Sequence, residues 1–294
     1  MLWLDVKDVP LMFNSFARGL IATGALALST LAAPAMAQSV AGEELSEDAK
    51  LAAQLSNPVA ALISVPFQGN WDSGGGPNGD GSKYTLNIQP VVPISISADW
   101  NIISRTILPF ITQSHITPGP ATGQTGFGDT TQSFFFSPKK PAGGWLIWGA
   151  GPAFLIPTGT SKPLTTDQWS AGPTAVLLTQ KDGWTVGVLA NQLWSFAGDS
   201  SNGKVNSMFL QPFLSYTTKK FTTYSINTET TCNWELVGNQ CAVPINVTVG
   251  QLMKLGSQRV SFTAGGRYYV SRPVGTAEWG LRFVATFLFP TGEK

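Results

Sequence analysis

Residues 277–289 of this 294-residue chain place Trp279, Leu281, Phe283, Ala285, Phe287 and Phe289 on one face at a period of two, and Glu278, Gly280, Arg282, Val284, Thr286 and Leu288 on the other. Alternate side chains of a strand point to opposite faces, so this segment shows a continuous apolar strip on one side and a mixed, partly charged one on the other. About a dozen segments of similar size follow one another, and none offers the roughly 20 consecutive apolar residues a spanning helix needs. In hydrocarbon only a closed barrel pairs every backbone N–H and C=O of such strands. The expected fold is therefore all-β: a transmembrane antiparallel up-and-down β-barrel of about twelve strands, with a short N-terminal helix.

The expected strands cover 60–70, 83–96, 98–114, 126–137, 144–157, 168–180, 183–197, 204–218, 221–235, 240–255, 259–272 and 277–289. Twelve is an even number, and longer or glycine-rich connections alternate with tight ones such as Lys181-Asp182-Gly183. That pattern matches extracellular loops facing periplasmic turns, with both termini in the periplasm. Trp71, Trp100, Trp145, Trp169, Trp184, Trp194, Trp234 and Trp279 mostly fall near segment ends, where aromatic girdles sit. Some segments, such as 171–179, are apolar on both faces and would also suit a soluble sandwich. Pro66, Pro90, Pro93, Pro109, Pro152, Pro173, Pro212 and Pro244 lie inside expected strands. A proline cannot donate to a ladder, so these strands must be bulged, kinked or shorter than drawn. A local repeat, Trp148-Gly-Ala-Gly-Pro152 and Trp169-Ser-Ala-Gly-Pro173, fits repeated strand units.

Before the strands, Arg18, the apolar stretch Gly19 to Leu31 and the Ala35-Met36-Ala37 site read as an export signal over 1–37 with Met12 as its start, cleaved to expose Gln38. Residues 38–58 follow as a short segment whose helical stretch, Val40 to Leu55, either caps the periplasmic end or enters the lumen as a plug. Residues 59–294 are assigned to the barrel. The expected location is the outer membrane of a Gram-negative bacterium.

Charged residues are 12% of the chain and the net charge is +1, which leaves no basic footprint for nucleic acid. Cys232 and Cys241 end a ten-residue segment in the exported part, where an oxidising periplasm permits a disulfide; two free thiols are the alternative. His115, the single histidine, sits in a Pro/Gly-rich loop, and no Gly-x-Ser-x-Gly surrounds any serine. The segment from Gly74 to Gly81 reads as a solvated loop, since no Gly-Lys-Ser/Thr or helix follows it. No catalytic residue, metal or cofactor is expected. Alternation instead directs Asn87, Gln89, Arg105, Gln211, Glu229, Lys254, Arg267, Glu278 and Arg282 toward the lumen, because Arg or Lys against lipid near mid-membrane costs about 2–4 kcal/mol. These groups either set selectivity or pair with one another and fill a narrow barrel.

The segments Asn57-Pro-Val-Ala-Ala-Leu-Ile-Ser-Val-Pro-Phe-Gln68, Leu86-Asn-Ile-Gln-Pro-Val-Val-Pro93, Leu146-Ile-Trp-Gly-Ala-Gly-Pro152, Trp184-Thr-Val-Gly-Val-Leu189, Trp194-Ser-Phe-Ala-Gly-Asp199, Leu210-Gln-Pro-Phe213, Leu281-Arg-Phe283 and Phe287-Leu-Phe-Pro290 resemble the outer-membrane family described as the MetA-pathway of phenol degradation, often labelled "transporter". The similarity spans about residues 50–290. It implies an outer-membrane barrel associated with uptake of aromatic compounds, and brings no catalytic residues. The cysteine pair and the tail Thr291 to Lys294 beyond Phe289 depart from the usual pattern. The combined expectation is a channel for small, hydrophobic or aromatic compounds, with membrane lipids, the outer-membrane assembly machinery and a solute as partners. A structural or adhesive barrel without transport and a lipid hydrolase using His115 are the alternatives.

Overall fold

The computed structural model describes residues 47–117, 123–199, 201 and 203–290. The expected export signal and the first part of the N-terminal segment lie outside these residues. The described chain opens with helix α1 (Glu47–Leu55) and continues through β1 (Ile63–Gly75), β2 (Gly81–Ile88), β3 (Val91–Ser95), β4 (Trp100–Ser114), β5 (Gly123–Phe127), β6 (Thr130–Pro138), β7 (Ile147–Ile156), β8 (Gln168–Lys181), β9 (Trp184–Gly198), β10 (Asn206–Thr217), β11 (Thr222–Thr228), β12 (Thr230–Asn233), β13 (Cys241–Leu255), β14 (Gln258–Ser271) and β15 (Trp279–Phe289). Every pairing between strands is antiparallel. The ring closes where β1 pairs with β15, Ile63 opposite Phe289 and Ser73 opposite Trp279.

Fifteen strands make twelve staves. β2 and β3 lie between β1 and β4, β5 and β6 both pair with β4, and β11 and β12 lie between β10 and β13, so each couple is one interrupted stave. Each interruption has prolines beside it. The break between β2 and β3 is at Gln89-Pro90, and that between β5 and β6 faces Pro109, whose carbonyl accepts from the Gly128 N–H at 2.9 Å. The break at Glu229 is flanked on both sides: pairing lapses near Pro212 of β10 and near Pro244 of β13. A strand facing a residue without an N–H loses ladder bonds there.

The local Trp-x-Ala-Gly-Pro repeat has a related explanation. Pro152 of β7 and Pro173 of β8 stand directly opposite each other. The ladder lapses on the far side of each, between β6 and β7 and between β8 and β9. Gly151 and Gly172 lie so close to the carbonyls of Phe134 and Gln192 that a Cβ at either would overlap them.

Burial alternates as the sequence implies. On β15, Trp279, Leu281, Phe283 and Phe289 are exposed on the outer wall, whereas Gly280, Arg282, Thr286 and Leu288 are buried inside. On β9, Trp184 and Trp194 share the outer face ten residues apart. Ten residues at about 3.3 Å each, inclined at about 40°, span roughly 25 Å, the height of the apolar band of membrane barrels. Trp71 packs edge-on against Trp279 at one end (centroids 5.3 Å), and Trp100 against Trp148 at the other (5.8 Å).

Two details differ from the sequence expectation. β1 extends beyond 70 to Gly75, bringing Asp72 into the wall, and the 139–146 link lies on the same side as the tight turns although it is not short. Cys232 and Cys241 face each other across the β12–β13 pair and are joined by a disulfide.

The apolar core lies inside the base of the barrel. Leu51 and Ala52 of α1, with Ala60 and Leu62 after it, pack against Leu252 of β13 and Leu288 of β15. Val59 packs against Ile103, Phe135, Val176, Leu178 and Leu189, inward residues of β4, β6, β8 and β9. An Asx turn, Asn57 Oδ1 accepting from the Val59 N–H at 3.0 Å, redirects the chain after the helix. Gln180 of β8 donates to the Ala53 carbonyl at 2.8 Å near the helix end.

Candidate functional site

Strand alternation gives the lumen its chemistry above this packed base. Inward positions of β14, β15, β1 and β2 at one height are Arg267, Arg282, Asn70, Asp72 and Lys83, brought level by the registers Asn70 opposite Arg282, Asp72 opposite Lys83 and Arg267 opposite Gly280. Glu229 reaches them from the proline-flanked break between β11 and β12. Its two oxygens accept from Arg282 Nη1 at 2.7 Å and Nη2 at 2.6 Å, a bidentate pair, while Arg282 Nε donates to Asn70 Oδ1 at 2.7 Å. Arg267 lies 3.8 Å from Glu229 and 3.4 Å from Asp72, with its guanidinium 5.1 Å from the centre of the Tyr269 ring. The Tyr269 hydroxyl donates to Asp72 at 3.4 Å.

Arg105 stands on β4, and its Nη2 donates to Gln89 Oε1 at 3.1 Å. It is within electrostatic reach of Glu229, as Lys83 is of Asp72. Four cations, Lys83, Arg105, Arg267 and Arg282, therefore face two carboxylates, Asp72 and Glu229, leaving two positive charges in excess. Burying these groups among themselves satisfies most of their charge, and the surplus gives this level of the lumen a positive field.

Between the charged group and the N-terminal segment lies a cavity of about 310 Å³. Its floor is Leu55, Asn57, Ala60 and Leu62, and its walls include Phe213, Ser215, Ser225, Asn227, Thr263 and Thr286. Gln89, Arg105 and Gln211, all singled out from the sequence, line it too. On the helix side, Arg259 of β14 donates through Nε to Asp48 at 2.6 Å and through Nη2 to Glu47 at 3.0 Å, tethering α1 to the wall.

The other positions named from the sequence divide. Asn87 is inward on β2 between the Asn70–Asp72 level and Gln89. Lys254 is exposed near the end of β13, beside the tight turn, and Glu278 precedes β15 and pairs with Arg272 at the opposite rim, at 2.5 Å, so neither joins the charged group. Parity points a side chain inward, but at the end of a strand the lumen opens into solvent. Asp72, Lys83, Asn70 and Tyr269 were missed. The signal was present for Asn70 and Asp72, which continue the Gln68 alternation while Gly69 and Trp71 hold the outer face. His115 is exposed after β4 in a left-handed conformation (φ 55°), and its side chain has no hydrogen-bond partner among the described residues. Gly76 of the glycine-rich turn between β1 and β2 packs on its carbonyl.

No family model matches the chain, and no curated protein sequence matches it. Among solved structures it is similar to the COG4313 outer membrane channel from Pseudomonas putida F1, with 18% identity, 79% of this chain and 96% of that chain covered, and a TM-score of 0.59. It also aligns with outer membrane phospholipase A from Escherichia coli at 10% identity, over 81% of this chain and 98% of that one, with a TM-score of 0.45. A FadL homologue from Pseudomonas aeruginosa aligns at 11% identity, over 84% and 95% of the two chains, with a TM-score of 0.37. At 18% identity the first likeness is one of fold, and it agrees with the ring closure: the chain is a closed twelve-stranded antiparallel β-barrel.

Proposed function

We propose that this protein is an outer-membrane channel for small, hydrophobic or aromatic compounds, exported by a signal over 1–37, inserted among membrane lipids by the outer-membrane assembly machinery, and closed at its base by its own N-terminal segment. The observation that carries the reading is the solute-sized cavity inside the lumen, between the segment after α1 and the charged group. A barrel built only for structure has no need of such a space. The description of the Pseudomonas putida protein as an outer membrane channel supports the reading. So do the segments resembling the MetA-pathway family, which also favour aromatic solutes. The tether from Arg259 to Glu47 and Asp48 holds the base shut together with the packing of Leu51, Ala52 and Val59.

Liposome swelling with purified full-length protein tests this. Small aromatic solutes should enter faster than into empty liposomes. Exposed ion pairs contribute little each, so Arg259→Ala should raise the opening frequency of single channels by no more than a few-fold. Flux no faster than in empty liposomes from both proteins would refute the channel and leave the structural or adhesive barrel.

A further inference from the structure

Arg105 is the single charged side chain on the wall of the lumen cavity among the described residues. Of its five N–H donors, one meets Gln89, and no carboxylate lies within 4 Å of it among the described residues. Its neighbour Glu229 is occupied: Arg282 holds both oxygens, and Arg267 lies 3.8 Å away. A confined cation without a contacting counter-charge is costly unless an anion or water meets it. The guanidinium fork matches a carboxylate geometrically, two parallel N–H donors to two oxygens. The amides of Gln89, Gln211 and Asn227 add neutral polar groups, while Leu55 and Phe213 supply apolar surface to the same cavity. One cation on the wall suits one negative charge rather than a doubly charged phosphate.

We infer that this cavity binds a small monocarboxylate carrying an apolar body, with the carboxylate on Arg105 and the body against Leu55 and Phe213. The inference names the solute class of the channel proposed above and rests on that reading for how the ligand reaches the cavity. The excess positive charge of the charged group, Lys83 and Arg105 beyond the two balanced arginines, favours entry of an anion.

Benzoate and benzamide, which share a ring and differ in charge, are suitable probes. Calorimetric titration of full-length protein in detergent should show benzoate binding at least about tenfold more tightly than benzamide. Arg105→Gln should weaken benzoate about 10- to 100-fold and leave benzamide unchanged. Arg105→Lys should retain a reduced preference for benzoate, and should do so even if Arg105→Gln fails to fold as judged by heat-modifiable gel migration. Equal binding of the two probes by wild type, no benzoate binding by folded wild type, or undiminished benzoate binding by folded Arg105→Gln would overturn the site. In those cases flux of neutral solutes into liposomes would still uphold the channel. Selective benzoate binding lost in Arg105→Gln, in a protein that passes no solute, would uphold the site and refute the channel.

Discussion

Phe283→Arg tests whether the outer wall faces lipid. Phe283 is 62% exposed on the outer face of β15 and lies four residues from Trp279, which packs with Trp71 in the girdle. Four residues at about 3.3 Å, inclined at about 40°, put it roughly 10 Å below that girdle. The apolar band is about 25 Å tall, so the site is close to its middle, where Arg costs about 2–4 kcal/mol. Loss of the phenyl group from hydrocarbon adds about 1.5–3 kcal/mol. The variant should therefore be destabilised by roughly 3.5–7 kcal/mol, whereas the same change on a surface in water stays within about 0.5 kcal/mol. Equilibrium unfolding in guanidinium from phospholipid vesicles measures the difference directly, with Phe283→Leu as the apolar control. Insertion and stability of Phe283→Arg equal to wild type would mean that this face does not meet lipid and that the barrel is not membrane-embedded.

Two further outcomes follow from the lumen and the rim. Glu229→Gln removes the negative charge and one of the two acceptors that Arg282 meets, which should cost about 3 kcal/mol, the lower end for a broken buried pair because one acceptor is kept. It also raises the excess positive charge of the lumen group by one, so the reversal potential in a potassium chloride gradient should move toward chloride; a shift toward potassium would contradict the charge assignment. Replacing Cys232 and Cys241 together by Ser opens a ten-residue loop, at a cost of up to roughly 3 kcal/mol. Protease cleavage between 233 and 240 should accelerate while the barrel stays folded, and an unchanged cleavage rate would show that β12 and β13 alone hold the loop.

The staves were legible because the environment of each residue repeats at the period of the strand. Leu281, Arg282 and Phe283 read as out, in, out from sequence, and the burial of Arg282 (5% exposed) between two exposed apolar neighbours follows that parity. Proline positions indicated that strands would be interrupted, but not that Pro212 and Pro244 would converge on one residue. That needs the register of three staves, which local pattern does not contain. For the same reason Glu229 could be placed on the inner face without its partner, since Arg282 is 53 residues away along the chain. The N-terminal segment was the least legible. Its helical pattern predicts a buried face, but nothing in Val59 or Leu62 says that the surface covering it is the inside of the barrel rather than its edge.

The position of that segment constrains the order in which the protein can assemble. Closure joins Ile63 to Phe289, the first strand to the last, and such distant contacts form late because the intervening chain must be ordered first. Residues 47–62 run directly into β1 and reach β4, β6, β8, β9, β13 and β15 around the base. While the sheet is open they can be laid across its concave side; once the final seam has zipped, they would have to be threaded into a narrow tube. Assembly thus encloses the segment 47–62, and a barrel that closed too early would be complete in its hydrogen bonds and empty at its base.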